Sequence, residues 1–151
     1  MPEDSAQYYL PNGLPAPVAE SDHLSQPFLE GLKKSALIIQ RCEQCQTWIF
    51  APEWICYRCH SFDLAWHEIK PEGTIYSWER VWHPSHPALT SAVPYLVVLI
   101  EIPRAQNIRI PGNLLGDPMQ PVTIDAPVIG VFEHHSDAEP PYSLLQWKIK
   151  V

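Results

Sequence analysis

The stretches Cys42-Glu43-Gln44-Cys45 and Cys56-Tyr57-Arg58-Cys59 hold all four cysteines of the chain. Each stretch is a CxxC pair, and ten residues separate the two pairs. Two intervening residues allow one tight loop to aim both sulfurs at a single ion, so two loops supply four thiolates. The spacing therefore predicts one structural metal ion held by Cys42, Cys45, Cys56 and Cys59. A site with four protein ligands has no open position for catalysis.

Zinc is the metal that this ligand set favours. A single iron ion is the alternative, because both metals accept a tetrahedron of four thiolates. Two disulfide bonds are a further alternative, but nothing in the sequence indicates an oxidising compartment. A thioredoxin-like redox centre would not require its motif twice. We therefore interpret the two loops as a zinc ribbon.

Composition narrows the class of protein further. The chain opens without a basic region followed by an apolar run, and the longest apolar run, residues 95–100, is too short to cross a bilayer. These features predict a cytoplasmic protein without a membrane span.

The net charge is -7, and no run of Lys and Arg is present. A nucleic-acid surface needs such clusters to displace counterions, so nucleic-acid binding is disfavoured.

The chain divides into three regions. Residues 1–24 carry four prolines and no periodicity, and we expect an extended arm. Tyr8, Tyr9 and Leu10 are apolar for a solvated tail, and we consider them an anchor on a partner or incidental. Residues 25–70 should form a short helix at 26–35, begun by Ser25 and Pro27, and then the zinc ribbon.

Residues 71–151 are predicted to form a small antiparallel barrel. Apolar alternation, punctuated by prolines, indicates five strands with no helix between them. The predicted strands are 74–83, 95–102, 108–115, 128–135 and 143–151. Four aromatic side chains are expected to pack the ribbon: Trp48, Phe50, Trp54 and Trp66. The fold class is therefore mainly β, with a short N-terminal helix, a four-cysteine ribbon and a five-stranded barrel.

His83 and His86 are the candidates for acid–base catalysis. They lie close together in a proline-rich loop after a predicted strand, and histidine titrates near neutral pH. No carboxylate within this loop orients either ring. A proline-stiffened loop with solvated imidazoles is therefore the interpretation that the sequence favours.

Tyr76, Trp78, Arg80 and Trp82 share one face of the first barrel strand. Such a face can be barrel core, an interface with a protein partner, or a platform for nucleic-acid bases. The opposite face carries Ile75, Ser77, Glu79 and Val81, which would make a poorer core. We therefore expect the aromatic face to point inward, at least in part.

The ordered set of motifs resembles a known family. The matching segments are Gln26-Pro27-Phe28-Leu29-Glu30-Gly31-Leu32, Gln40-Arg41-Cys42-Glu43-Gln44-Cys45, Cys56-Tyr57-Arg58-Cys59-His60-Ser61, Gly73-Thr74-Ile75-Tyr76-Ser77, Pro94-Tyr95-Leu96-Val97-Val98, Gly112-Asn113-Leu114-Leu115-Gly116 and Pro127-Val128-Ile129-Gly130-Val131-Phe132-Glu133. Together they resemble the DUF35 family of acyl-CoA-associated OB-fold proteins with an N-terminal rubredoxin-like zinc ribbon. The family often has a glycine just before the fourth barrel strand, where this chain has Asp125-Ala126.

The resemblance implies a non-catalytic accessory subunit beside a thiolase-like enzyme. Such a subunit would form a hetero-oligomer with the enzyme and support the assembly of that complex. It would also support access of the acyl-CoA substrate to the enzyme, near the interface that the two proteins share. The implied settings are acyl transfer on CoA thioesters and retro-aldol cleavage of steroid side-chain CoA esters. Phe28 joins the aromatic face of the first barrel strand as a candidate partner or ligand surface.

Three other classes of function stay open from the sequence. The chain can be an OB-fold protein that binds single-stranded nucleic acid, an enzyme with His83 or His86 as base, or a rubredoxin-like electron carrier.

Overall fold

One α-helix and eight strands follow one another in the computed structural model, which describes residues 8–151. In chain order they are α1 (Gln26–Lys33), β1 (Leu37–Cys42), β2 (Trp48–Ile49), β3 (Leu64–Ile69), β4 (Glu72–Val81), β5 (Tyr95–Ile102), β6 (Ile108–Asn113), β7 (Pro127–His135) and β8 (Tyr142–Ile149). The prediction of an extended arm at residues 1–7 lies outside the described residues. Between residues 8 and 24 no helix or strand is formed.

Helix α1 begins where proline and serine predict it and ends two residues early. Pro27 lies in the first turn, where a missing N–H costs nothing, but the Ser25 side chain makes no capping hydrogen bond. Ser35 adopts a left-handed φ of 55°. The backbone N–H of Ala36 then donates to the Gly31 carbonyl at 2.9 Å, which satisfies a carbonyl at the helix end.

The strands form two antiparallel sheets. The ribbon sheet has the order β2-β1-β3, and the second sheet has the order β6-β5-β4-β7-β8. Leu114, just after β6, forms a parallel bridge with Trp147 of β8, and the Leu115 N–H donates to the Trp147 carbonyl at 2.7 Å. The two outer strands of the five therefore approach each other and nearly close a barrel. The predicted mainly-β class, with a ribbon before a five-stranded barrel, is confirmed.

A bulge in β4 decides which side chains enter the barrel. The pairing of β4 with β5 shifts register between Ile75 and Ser77. Ile75 is fully buried, whereas Tyr76 is 44% exposed. After the shift Trp78 pairs with the buried Val98, so it points inward and packs on the core. The expectation that the aromatic face points inward is right for Trp78 and wrong for Tyr76, because the extra residue reverses the alternation.

One core connects the helix, the ribbon and the barrel. Leu32 of α1 and Leu37 and Ile39 of β1 belong to the same buried cluster as Ile100 and Trp147 of the barrel. A second, smaller cluster surrounds the cysteines and contains Ile49, with Leu64 packed against it. The ribbon therefore has little core of its own around the metal loops.

The predicted aromatic packing of the ribbon is wrong at Trp54, which is 60% exposed. Trp48 and Phe50 are half-buried and pack against the main core. Trp54 lies between the two metal loops, in a stretch without strand structure, so no alternation brings its side chain to an interior.

Two further observations complete the fold. Asp125, in the Asp125-Ala126 pair just before β7, adopts a left-handed φ of 67°. Its N–H donates to the Ile75 carbonyl at 2.8 Å, so the turn forms without glycine. Within residues 8–151, no helix combines the length and the apolar character needed to cross a membrane.

Candidate functional site

The two metal loops have the same backbone geometry. In the first loop the N–H of Gln46 donates to the Cys42 carbonyl, and in the second the N–H of His60 donates to the Cys56 carbonyl, both at 2.9 Å. Gln46 and His60 each adopt a left-handed φ of 63°. The equivalent bonds and torsions make the loops two copies of one turn, each of which presents two sulfurs.

The four sulfurs are arranged to hold one metal ion. All four Sγ atoms lie within 4.8 Å of one another. The Cys42–Cys59 and Cys45–Cys56 sulfur pairs are both 3.6 Å apart. A tetrahedron with metal–sulfur distances of about 2.3 Å has sulfurs about 3.8 Å apart, so the four residues fit a zinc-sized ion. The site would be structural, because all four positions are filled by protein.

The electrostatics of the sulfurs fit a cation too. The Thr47 hydroxyl, 3.1 Å from the Cys45 sulfur, lowers the pKa of that thiol to about 6. The Ser61 N–H favours the Cys59 thiolate, but desolvation and the three other sulfurs outweigh it and raise the pKa of Cys59 to about 12. Four adjacent thiolates repel one another, and a bound divalent cation replaces the protons that otherwise relieve this repulsion.

Within residues 8–151, neither catalytic candidate, His83 or His86, forms a hydrogen bond or ion pair with a carboxylate. His83 is exposed. His86 is half-buried, and its Nδ1 accepts a hydrogen bond from the Ala88 N–H at 3.1 Å. That bond caps the short 3-10 helix Pro87–Leu89. One ring nitrogen of His86 is therefore used to hold its own loop.

Three of the candidate residues on and after β4, namely Arg80, Trp82 and Tyr76, have different surroundings. Arg80 donates from Nε to the Pro118 carbonyl at 2.8 Å and from Nη2 to the Gln120 carbonyl at 2.7 Å. Trp82, beyond the end of β4, is 61% exposed. The guanidinium of Arg109 lies over the Tyr76 ring, 3.6 Å from its centroid. Arg80 therefore fixes a loop, whereas Tyr76 and Trp82 remain on the surface.

Phe28 is the candidate surface residue on helix α1. Its ring lies 5.6 Å from that of Phe50, and both rings pack against the main core. Phe28 also lines an apolar cavity of about 420 Å³ between the helix, the arm and the outer side of the barrel. The structure thus brings Phe28 close to the ribbon rather than to the aromatic residues of β4.

Sequence reasoning missed a polar cluster at one end of the barrel. The His135 Nε2 lies 2.7 Å from the Glu133 Oε1, and both side chains are largely buried. Tyr8 donates to the Asp137 carboxylate at 2.8 Å, which raises the pKa of Tyr8 and lowers that of Asp137. Burial raises the pKa of Tyr9. The apolar run Tyr8-Tyr9-Leu10 was the sequence feature that could have indicated a contact with the barrel. However, Leu96, which bonds to the Tyr9 hydroxyl, lies more than 80 residues away in sequence.

Comparison with known proteins agrees with this architecture. Residues 29–65 match a family described as the rubredoxin-like zinc ribbon domain of ChsH2, and residues 66–133 match the C-terminal OB-fold domain of ChsH2. A chain of the solved Ltp2–ChsH2(DUF35) aldolase superimposes with a TM-score of 0.75 at 30% identity. That match covers 90% of this chain and 100% of the other.

Two other relatives are more distant or larger. A solved DUF35 protein of unknown function from Sulfolobus solfataricus superimposes with a TM-score of 0.57 at 19% identity, over 84% of this chain and 85% of that one, which shows the fold alone. A probable enoyl-CoA hydratase alpha subunit of Thermomonospora curvata is 35% identical over 102 residues. The match covers 68% of this chain but only 31% of that protein, so this chain spans about a third of its length.

The fold and the four-cysteine site define a rubredoxin-like ribbon joined to an OB-fold barrel, with one core running through both. The chain belongs to the DUF35 family, which includes the zinc-ribbon and OB-fold domains of ChsH2.

Proposed function

We propose that this chain is a non-catalytic accessory subunit of an acyl-CoA-processing enzyme. It binds a thiolase-like partner of the acyltransferase or retro-aldolase type, supports its assembly and gives acyl-CoA access near the shared interface. The pair forms a hetero-oligomer in the cytoplasm, in steroid side-chain or other acyl-CoA metabolism. One zinc ion at Cys42, Cys45, Cys56 and Cys59 holds the ribbon in shape.

The likeness to the Ltp2–ChsH2(DUF35) aldolase carries this proposal. The similarity spans the whole of that neighbour's chain, and that chain is part of a two-component aldolase by its name. The Thermomonospora curvata relative is named for an enzyme of enoyl-CoA, which is an acyl-CoA thioester. The aldolase supports a role beside a partner enzyme. The Thermomonospora curvata relative supports acyl-CoA as the class of substrate.

The described side chains support a binding role rather than a catalytic one. The cysteines leave no open position on the metal, and His86 uses a ring nitrogen to cap its own loop. In contrast, Tyr76 and Trp82 stand on the surface of the barrel with 44% and 61% of their area exposed. Exposed tyrosine and tryptophan are enriched at the energetic centres of protein interfaces. We therefore place the partner on the β4 side of the barrel.

Co-expression with the thiolase-like protein encoded nearest to this chain tests the proposal. We expect the two proteins to co-purify at a fixed ratio, and we expect the acyl-CoA activity of the partner to depend on this chain. Replacement of both Tyr76 and Trp82 by alanine should weaken the complex by a factor of about 30 or more, as loss of an interface hot spot does.

Phe62→Ala is the matched control, because Phe62 is 79% exposed but lies on the ribbon. The control should leave binding and activity unchanged. If the proteins do not co-purify and the partner's activity is the same without this chain, the accessory role is wrong. If they bind but the double variant binds as tightly as the parent, the role holds and the β4 side is not the interface.

A further inference from the structure

The segment before helix α1 is attached to the barrel by side chains of two consecutive tyrosines. The Tyr9 hydroxyl accepts a hydrogen bond from the Leu96 N–H at 2.9 Å, and the Tyr9 N–H donates to Glu133 at 3.3 Å. The Tyr8 hydroxyl donates to Asp137 at 2.8 Å. These contacts connect the arm with the start of β5, with β7 and with the turn after β7.

The Tyr8 ring also covers a buried histidine. It stacks on the His135 ring with the centroids 3.8 Å apart, while the Tyr142 ring stacks on the opposite face at 4.4 Å. His135 also contacts Glu133 and Tyr142, and neither of these two contacts involves an atom of Tyr8. The barrel end is therefore built from its own residues, and the arm is an addition to it.

The arm forms part of the walls of two cavities. Tyr8 and Tyr9 line a cavity of about 670 Å³ together with Tyr95, Phe132 and Glu133 of the barrel. The apolar cavity of about 420 Å³ beside Phe28 is lined by Leu10 and Pro17 of the arm, and again by Tyr95. Tyr95 therefore borders both cavities, and residues of the arm form part of the wall of each.

Residues 8–18 have the properties of a segment that can detach as a unit. They form no helix or strand and have no backbone ladder with the barrel. Pro11, Pro15 and Pro17 restrict the backbone and favour an extended shape, so the segment keeps its direction when it leaves the surface. Segments held by few contacts open at lower free energy than the core strands.

We propose that residues 8–18 are a releasable strap that closes the end of the barrel in the free chain. Tyr8 and Tyr9 fasten the strap, and its release exposes a continuous, largely apolar groove that includes Tyr95, Phe132 and Leu144. The strap is the occupant of this groove in the isolated protein. This inference goes beyond the proposed function and does not depend on the partner.

Hydrogen exchange of the full chain tests the strap. The Leu96 amide is the direct reporter, because its N–H donates to the Tyr9 hydroxyl. In a Tyr8→Ala/Tyr9→Ala variant we expect its exchange to rise about tenfold or more, together with that of the amides at 131–134. Anilinonaphthalene sulfonate, a dye that fluoresces on apolar surfaces, should bind the folded variant more strongly than the parent. Tyr57→Ala is the matched control, since Tyr57 is 66% exposed and lies on the ribbon.

Two results would overturn the proposal. The first is unchanged exchange at Leu96 and unchanged dye binding in the folded double variant. The second is faster exchange throughout the strands from β4 to β8, which would make the arm an integral part of the core. If the double variant does not fold, Asp137→Asn replaces it, because it weakens only the bond from Tyr8. A smaller rise in dye binding and exchange at 131–134 supports the strap, and no rise contradicts it.

Discussion

Gln46 and His60 show that the geometry of the cysteine loops requires an unfavourable backbone conformation at single residues. Each follows the second cysteine of a CxxC pair and adopts a left-handed backbone, with φ of 63°. For a residue with a Cβ this conformation costs roughly 1–2 kcal/mol. The cost is tolerated because each N–H completes a 2.9 Å bond to the carbonyl of the first cysteine. The sequence does not predict this conformation, since neither residue is glycine, the residue that adopts it most readily.

Arg80 is the residue whose role changes most between sequence and structure. On the strand pattern it belongs to a surface for a partner or for nucleic acid. In the fold it lies after the β4 bulge, paired with the buried Leu96, and its guanidinium holds the carbonyls of Pro118 and Gln120. Its planar fork reaches two acceptors at once, which a lysine ammonium on its flexible stem matches poorly.

Arg80→Lys should therefore destabilise the protein. We expect the free energy of unfolding to fall by about 1.5–3 kcal/mol, the usual contribution of a hydrogen bond that involves a charged group. Urea unfolding measures the change. Arg104→Lys is the control, since Arg104 is exposed on the short 3-10 helix Pro103–Ala105 after β5, and the change should alter stability by less than about 1 kcal/mol. Equal effects of the two substitutions would show that the bonds to the loop carry no special weight.

At the scale of elements, we expect the ribbon loops to depend on a bound metal ion, whereas the first strand is held by the main core. The cysteines form their own small cluster with Ile49, whereas Leu37 and Ile39 at the start of β1 are buried in the main core. The metal loops thus have little packing of their own and we expect them to rely on the ion, whereas Trp48 of β2 packs against the main core. Strand β1 belongs to both clusters, because it begins in the main core at Leu37 and ends in the cysteine cluster at Cys42.

Cys59→Ser should separate these two environments. Cys59 is the exposed member of the four, so its loss removes a ligand and little packing. We expect the protein to lose its metal, and amide protection to disappear at residues 42–64 but to persist at Leu37, Ile39 and the barrel strands. Metal analysis and hydrogen exchange measure both effects. Gln44→Ser, an exposed change between two ligands, should leave metal content and protection unchanged. Full metal content in the Cys59 variant would contradict the four-ligand site.

At the scale of the whole molecule, charge and geometry together argue against nucleic-acid binding. The chain has a net charge of -7. Of the candidate stacking face on β4, Trp78 packs on the core and Arg80 is occupied by two carbonyls. Tyr76 is the exposed aromatic within the strand, with Arg109 already over its ring. A single tyrosine–arginine pair offers little surface on which the bases of a nucleic-acid strand could stack.

Titration with single-stranded oligonucleotides at low salt should therefore show no binding. A positive control is an OB-fold protein known to bind single strands under the same conditions. Salt-dependent binding that weakens steeply as salt rises would overturn this expectation, because release of counterions from phosphates produces that dependence. Loss of such binding in Tyr76→Ala would then place the contact on β4.

The sequence by itself determined the pairing of the four cysteines in one cluster, the order of ribbon and barrel, and most strand positions. Cysteine spacing acts within one loop, and apolar alternation acts within one strand, so both are readable without knowledge of the fold. The family resemblance rests on the same local motifs. Strand β5, predicted at 95–102, occupies those residues in the structure.

Only the tertiary structure decided which faces and segments meet. The β4 bulge reversed the orientation of Tyr76, and it forms where β4 must pair with β5 while the loop before β7 bonds to Ile75. The cap of His86 and the strap contacts of Tyr8 and Tyr9 likewise depend on atoms that the chain brings together only when folded. Local patterns fix ligands and periodicity, but burial and hydrogen-bond partners are set by residues distant in sequence. For that reason the cysteine loops could be predicted, whereas the surfaces that they and the barrel present could not.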